Sequence, residues 1–144
     1  MIISALTLDA LRAFVTRDVE QYDSLMEQLA AEAREDEFSA AVAAGFIVAV
    51  QEQFDANPSR ADVISMVADL RSRSAEVSAN LDPRAAERLI LAVTHGENVD
   101  DLDGRTVVSH ELALATVIVN DRANTKNEIE EFIERVRNFI EVNS

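Results

Sequence analysis

The residues best suited to chemistry in this 144-residue sequence lie in an acidic segment, ENVDDLDG, at positions 97–104. Asp100, Asp101 and Asp103 place three carboxylates within four positions, and His110 is the next histidine along the chain. Carboxylate oxygens are preferred ligands of Ca²⁺ and Mg²⁺, so these four residues are candidate metal ligands. The alternative, which we favour, is a solvated turn whose acids stabilise the positive end of the following helix.

The spacing of this segment differs from that of a calcium-binding EF-hand loop. If Gly104 held the sixth position of such a loop, Val99 would hold the first and His110 the twelfth. An EF-hand needs a side-chain oxygen at the first position and a glutamate at the twelfth. The segment is therefore not predicted to be an EF-hand.

A second metal hypothesis uses the two histidines of the chain, His95 and His110. With an acid such as Glu111 or Asp103 they would form a two-histidine, one-carboxylate centre. Neither histidine has a metal ligand three or four positions further on, the spacing that would present a ready pair on one helix face. We therefore expect no metal and no cofactor, with His95 lying instead in the last turn of a helix, where a cation is favoured.

Nucleophilic catalysis has little support in the sequence. The chain has no cysteine, and no serine lies in a Gly-x-Ser-x-Gly turn. The serines are instead predicted at a helix start (Ser59) or on polar helix faces (Ser72, Ser74 and Ser78). Only three glycines are present, too few for a phosphate-binding loop or a dinucleotide fingerprint. The sequence therefore predicts a protein that is not an enzyme.

The basic residues form one cluster in the sequence, Arg71 and Arg73 with Arg84 and Arg88. We expect them to form ion pairs with Asp69, Glu87 and the acidic first half of the chain, and an anion-binding site is the alternative.

Charge limits the classes of partner. The formal net charge is −14, and residues 1–56 hold eleven acids but only three bases. Nucleic acids and anionic membranes attract Lys and Arg, so neither is an expected partner. The first residues, MIISALTLDALRAF, lack the positive charge and long apolar core of a secretory signal, and we expect a cytoplasmic protein.

The elements that position these residues are predicted to be helices that surround two apolar central helices. Residues 40–50 contain no polar side chain, and residues 112–119 contain only Thr116. A helix that is apolar on every face is buried on every face, and both stretches are shorter than the ~20 residues needed to cross a bilayer. Gly45 lowers helix propensity by about 1 kcal/mol relative to alanine, and we expect a close helix crossing at Ala41, Ala44 and Gly45 to compensate.

The remaining segments have one apolar stripe each and are predicted to surround the two apolar central helices. The fold class is therefore all-α, a single-domain bundle of six to seven helices over residues 1–144, the number depending on whether Thr16–Asp18 breaks a helix. Predicted starts are Thr7, Asp18, Asp36, Ser59 and Asp82-Pro83, and Gly96 is a predicted end. The predicted helices after the first cover about 18–33, 37–54, 59–77, 83–95, 105–122 and 125–142.

An internal three-helix repeat is compatible with this order. Residues 18–77 and 83–142 each contain an amphipathic, an all-apolar and an amphipathic segment. A shift of 66 positions aligns five residues of the third helices: Val63 with Ile129, Met66 with Phe132, Val67 with Ile133, Leu70 with Val136, and Arg71 with Arg137.

Three functional hypotheses follow. The first is a non-enzymatic regulatory or scaffold protein that binds another protein or a second copy of itself as a homodimer. The second is an acidic neutralising partner of a basic protein, of the immunity or nucleic-acid-mimic type. The third is a helical bundle that binds an apolar ligand or a metal. The absence of catalytic motifs and the well-patterned helices favour the first.

Overall fold

Helices form all the regular structure of residues 2–54, 57–123 and 125–143, the part of the chain that this computed structural model describes, and there is no strand in that part. The predicted all-α class is confirmed. The described residues form eight helices, more than the six to seven predicted. They are α1 (Ala5–Val15), α2 (Val19–Ala31), α3 (Glu35–Gln53), α4 (Arg60–Arg71), α5 (Ala75–Asn80), α6 (Pro83–His95), α7 (Gly104–Arg122) and α8 (Lys126–Val142).

The additional helix comes from residues 59–77, which the sequence pattern predicts to be one helix. That prediction is wrong, because α4 ends at Arg71 and α5 begins at Ala75. The side chain of Ser74 accepts the N–H of Val77 at 3.1 Å and so caps a new helix. Serine hydroxyls compete for backbone hydrogen bonds and favour helix starts over helix interiors.

Local signals place several other helix boundaries correctly. Ser59 and Asp62 form a reciprocal capping box at the start of α4. Asp82 caps α6, whose first residue is Pro83, and Asp18 caps α2. Gly96 ends α6 in the left-handed conformation, with φ at 68°, which glycine adopts without steric cost.

Two predicted caps are wrong. Ser4, not Thr7, caps α1, and Thr7 lies buried inside that helix. Helix α3 begins at Glu35, before Asp36, and the residue at its N-cap position, Arg34, makes no capping hydrogen bond with its side chain.

The two apolar helices, α3 and α7, pack against each other more extensively than any other pair. None of residues 40–50 or 112–119 is exposed, as their composition predicts. The last turns of both helices line one cavity, where Ala49 and Glu52 lie beside Ile118 and Arg122. The two helices therefore run in the same direction.

The other helices cover this pair unequally. Helix α1 packs on α2, α3, α7 and α8, whereas α8 packs mainly on α3. Helix α4, which the proposed repeat would make equivalent to α8, packs instead on α6 and α5. The repeat of 18–77 with 83–142 is therefore not confirmed.

One continuous hydrophobic cluster joins the buried side chains of the bundle, and α5 contributes no buried residue to it. Within the described ranges, every helix is too short or too polar to pass through a bilayer.

Candidate functional site

The acidic segment at 97–104 is tied to its neighbours by hydrogen bonds. Both oxygens of Asp101 accept hydrogen bonds from the guanidinium of Arg88, at 2.5 and 2.8 Å, and these bonds lower the pKa of Asp101. Asp103 caps α7 by accepting the N–H and the hydroxyl of Thr106, which lowers its pKa. Asp100 is exposed. Two of the three candidate metal-binding carboxylates therefore have structural partners.

His110 is buried and links two helices. Its Nε2 accepts the backbone N–H of Asp82 at 3.0 Å, and its Nδ1 lies 2.9 Å from the carbonyl oxygen of Thr106. An Nε2 that accepts a hydrogen bond carries no proton, so the ring is neutral and its Nδ1 donates to Thr106. His110 thus fastens the start of α6 to the first turns of α7.

His95 lies exposed at the end of α6, with its Nδ1 2.7 Å from the hydroxyl of Thr94. In the parts of the chain that the structure describes, no three side chains of His, Asp or Glu are grouped so that they could hold a metal ion.

Three of the four arginines in the basic cluster, Arg71, Arg73 and Arg88, have different partners. Arg73 pairs with Asp69, as predicted, and with Asp121, while Arg88 pairs with Asp101. Arg71 donates instead to the carbonyl oxygens of Leu81 and Ser78, at 2.8 and 3.2 Å. Arg71 therefore holds the end of α5 against the end of α4.

Gly45 faces α1 and α8 in the core. A methyl group at this position would lie 3.7 Å from Leu11 and 3.8 Å from both Phe132 and Val136, which are ordinary contact distances. The packing here therefore leaves room for alanine and does not require glycine.

Glu37 joins the starts of α1 and α3. Its Oε1 accepts the backbone N–H of Ser4 at 2.7 Å and the hydroxyl of Thr7 at 2.8 Å, and its Oε2 accepts from Arg34 at 3.0 Å. Burial alone would raise the pKa of Glu37, but these hydrogen bonds outweigh it and lower the pKa to about 2. The charged carboxylate is therefore a structural link between two helices.

Glu111 lies in an environment that raises its pKa, whereas the environment of Glu37 lowers its pKa. It lies half-buried on the face of α7 that also carries Leu114, Ala115 and Ile118, all of them buried. Burial raises the pKa of Glu111 to about 7, so the side chain is partly neutral near physiological pH. An acid at helical spacing within an apolar stripe is the sequence signal for such a carboxyl, and Glu111 carries that signal.

A half-open groove of about 750 Å³ crosses one side of the bundle. Helix α7 forms its floor, α5 forms one wall, and the junction of α1 and α2 forms the other. We call it the α5–α7 groove. Its surface is mostly apolar, and its main apolar side chains are Phe14, Val19, Tyr22, Val77, Ala113 and Val117.

The α1–α2 wall of the groove is aromatic and partly open to solvent. The rings of Phe14 and Tyr22 meet edge to face, with centroids 5.1 Å apart. Burial, with a contribution from Asp23, raises the pKa of the Tyr22 hydroxyl, and that hydroxyl has no hydrogen-bond partner among the described residues. Val19 stands at the rim with 67% of its surface exposed, which is unusual for a β-branched apolar side chain.

Acidic side chains border this wall. Glu20, Asp23 and Glu27 follow each other at i, i+3 and i+7 on α2, so they project from one face of the helix. All three are exposed and make no ion pair within the described ranges. We call them the α2 acidic stripe. Asp23 also lines the groove, so the stripe and the groove form one continuous surface.

Comparisons with protein-family models, with curated proteins and with solved structures found no match.

An apolar groove can bury apolar groups of a ligand, and the adjacent stripe attracts positive charge. Sequence reasoning did not find the groove, because it depends on how far α5 stands from the α1–α2 junction.

Proposed function

We propose that this protein acts by binding another protein, that the partner presents a basic surface, and that no catalysis is involved. The observation that carries the proposal is the continuity of the α2 acidic stripe with the α5–α7 groove. Unpaired surface carboxylates raise the rate at which a basic partner associates, and buried apolar contacts then supply most of the affinity.

The roles of the candidate metal ligands and of two of the serines support this proposal. His110 makes hydrogen bonds with two backbone groups, Asp103 caps a helix, and Asp101 is paired with Arg88. Ser59 and Ser74 cap helices. Each of these side chains therefore has a structural task that accounts for its position.

The first test is capture of a partner by the immobilised protein from a lysate of its own cells at about 50 mM and 500 mM salt, followed by mass spectrometry. We expect a basic protein that is retained at low salt and weakened at high salt, because screening shortens the reach of surface charges. Retention of no protein at low salt would refute the proposal.

A matched pair of variants tests the role of the stripe. The first variant combines Glu20→Gln, Asp23→Asn and Glu27→Gln. The control combines Asp100→Asn, Glu131→Gln and Glu141→Gln, which are exposed acids elsewhere and change the net charge by the same amount. Retention of the captured partner should fall in the first variant and change little in the control.

The groove also favours a second candidate function, binding of a small apolar ligand, because its volume of about 750 Å³ lies in the range typical of such sites. Thermal-shift measurements with decanoate and decylamine test this candidate. If either compound stabilises the protein, and Ala113→Trp, which fills the groove, abolishes that stabilisation, the result would support binding of a small apolar ligand.

A further inference from the structure

We propose that the α5–α7 groove is the docking site for one amphipathic helical segment of the partner, with two or three apolar side chains in the groove and a Lys or Arg beside the α2 acidic stripe. This inference rests on the proposed function and specifies where and by what chemistry the partner is recognised.

The dimensions of the floor fit two turns of a helix. The floor runs along α7 from Ser109 to Val117, which is about 12 Å at 1.5 Å per residue. A bound helix would present residues at i, i+3 or i+4, and i+7 over that length. Val77 on one wall and Val19 on the other would cover the sides of its apolar face.

The charges on the groove select for a basic segment. Arg17 is the one base among the residues that line it, against two acids, Asp23 and Glu76. None of these three makes an ion pair in the described parts of the chain. With Glu20 and Glu27 along the α1–α2 wall, the negative charge is greatest on that side, so the basic residue of the partner is expected to lie there.

The same charges argue against other occupants. A second copy of the chain also carries a net charge of −14 and would be repelled at this acidic edge. An anionic membrane surface would be repelled for the same reason. An extended peptide usually adds to the edge of a sheet, and residues 2–54, 57–123 and 125–143 contain no strand.

The experiment uses three synthetic peptides of 16 residues and isothermal titration calorimetry with the whole 144-residue chain. The first has Leu at i, i+3, i+4 and i+7 with Lys elsewhere. The second has the same composition in an order that leaves no apolar face, and the third replaces Lys by Glu. We expect one-to-one binding of the first peptide and at least about tenfold weaker binding of the other two, since both the apolar anchors and the charge contribute.

Two groove variants locate the binding site. Ala113→Trp fills the floor and should weaken the first peptide by about tenfold or more. Val19→Ser alters only an exposed rim residue, so it keeps the test valid if Ala113→Trp fails to fold, and it should weaken binding by about threefold. Its control is Ile64→Ser, an exposed β-branched residue on α4 that does not line the groove.

Several results would overturn the inference. Equal binding of the first and second peptides would show attraction by net charge alone. Unchanged affinity in folded Ala113→Trp, or equal losses in Val19→Ser and Ile64→Ser, would place the peptide elsewhere. A dimer that Ala113→Trp abolishes, or a groove filled by decylamine but not by peptide, would assign another occupant.

The two proposals fail separately. If a cellular partner is captured but groove variants bind it normally, the groove inference is wrong and the proposed function stands. If the peptide binds in the groove but no cellular protein is retained at low salt, the proposed function is wrong.

Discussion

Replacing Glu111 by glutamine should stabilise the protein, and the gain should grow with pH. The pKa of Glu111 is raised to about 7 in the folded state, above the ordinary value near 4.5. Between these two values the unfolded chain loses the proton while the folded chain keeps it, so the free energy of unfolding falls as pH rises. Above pH 7 the folded protein bears the full cost of a half-buried negative charge. Glutamine has nearly the same shape and never ionises.

The size of the effect follows from the two pKa values. Each pKa unit corresponds to about 1.4 kcal/mol, which sets an upper limit of about 3 kcal/mol at pH 8. Glu111 is only half-buried, and water screens part of this cost, so we expect a gain of about 1–2 kcal/mol. At pH 5 the gain should be about a quarter as large, because the folded carboxyl is then almost fully protonated and the pH lies only slightly above the unfolded pKa.

The assay is urea unfolding followed by circular dichroism at pH 5, 6, 7 and 8, with thermal melts in parallel. A gain of 1–2 kcal/mol corresponds to a rise of roughly 3–8 °C in melting temperature for a chain of this length. Glu131→Gln on the exposed face of α8 is the control for removing one charge from a strongly acidic protein. A gain that is the same at pH 5 and pH 8, or no larger than that of Glu131→Gln, would refute the reasoning.

Three further substitutions test other parts of the structure, each by urea unfolding. Gly45→Ala should raise the free energy of unfolding by about 0.5–1 kcal/mol, because the methyl group fits and alanine favours the helix; a loss would show that the contact is tighter than 3.7 Å. Glu37→Ala should cost about 2 kcal/mol at pH 7. Since the folded pKa of Glu37 is about 2, this difference should shrink as pH falls below 4.5, and a constant difference would contradict the assigned charge. His110→Ala should cost about 1–3 kcal/mol, because the N–H of Asp82 loses its acceptor; an unchanged midpoint would show that the link is not needed.

Features that depend on a few neighbouring residues could be predicted from the sequence. The capping box at Ser59, the Asp82-Pro83 start and the Gly96 end each rely on residues within one helical turn. The burial of residues 40–50 follows from composition alone. For these features, contacts with distant parts of the chain do not change the structure that the neighbouring residues favour.

Features that depend on distant residues could not be predicted. Threonine is a residue type that often caps helices. The hydroxyl of Thr7 instead donates to the carboxylate of Glu37, 30 positions away, and Thr7 is buried. The contact that holds α5 against α4 joins the guanidinium of Arg71 to the carbonyl oxygen of Leu81, ten positions away. The α5–α7 groove is the hardest feature to predict from the sequence. It forms only when three separate segments, α5, α7 and the α1–α2 junction, lie in their folded positions.

The parallel arrangement of α3 and α7 has a consequence for how the chain is made. The 50 residues from 54 to 103 separate the two helices, so α3 leaves the ribosome well before its main partner. At the usual 5–20 residues per second, α3 waits roughly 3–14 s for α7 to be complete. During that time the side of α3 that makes its most extensive contact, with α7, is uncovered. Nascent chains that stop before residue 104 should therefore aggregate or recruit a chaperone, and release from that chaperone should coincide with the synthesis of α7.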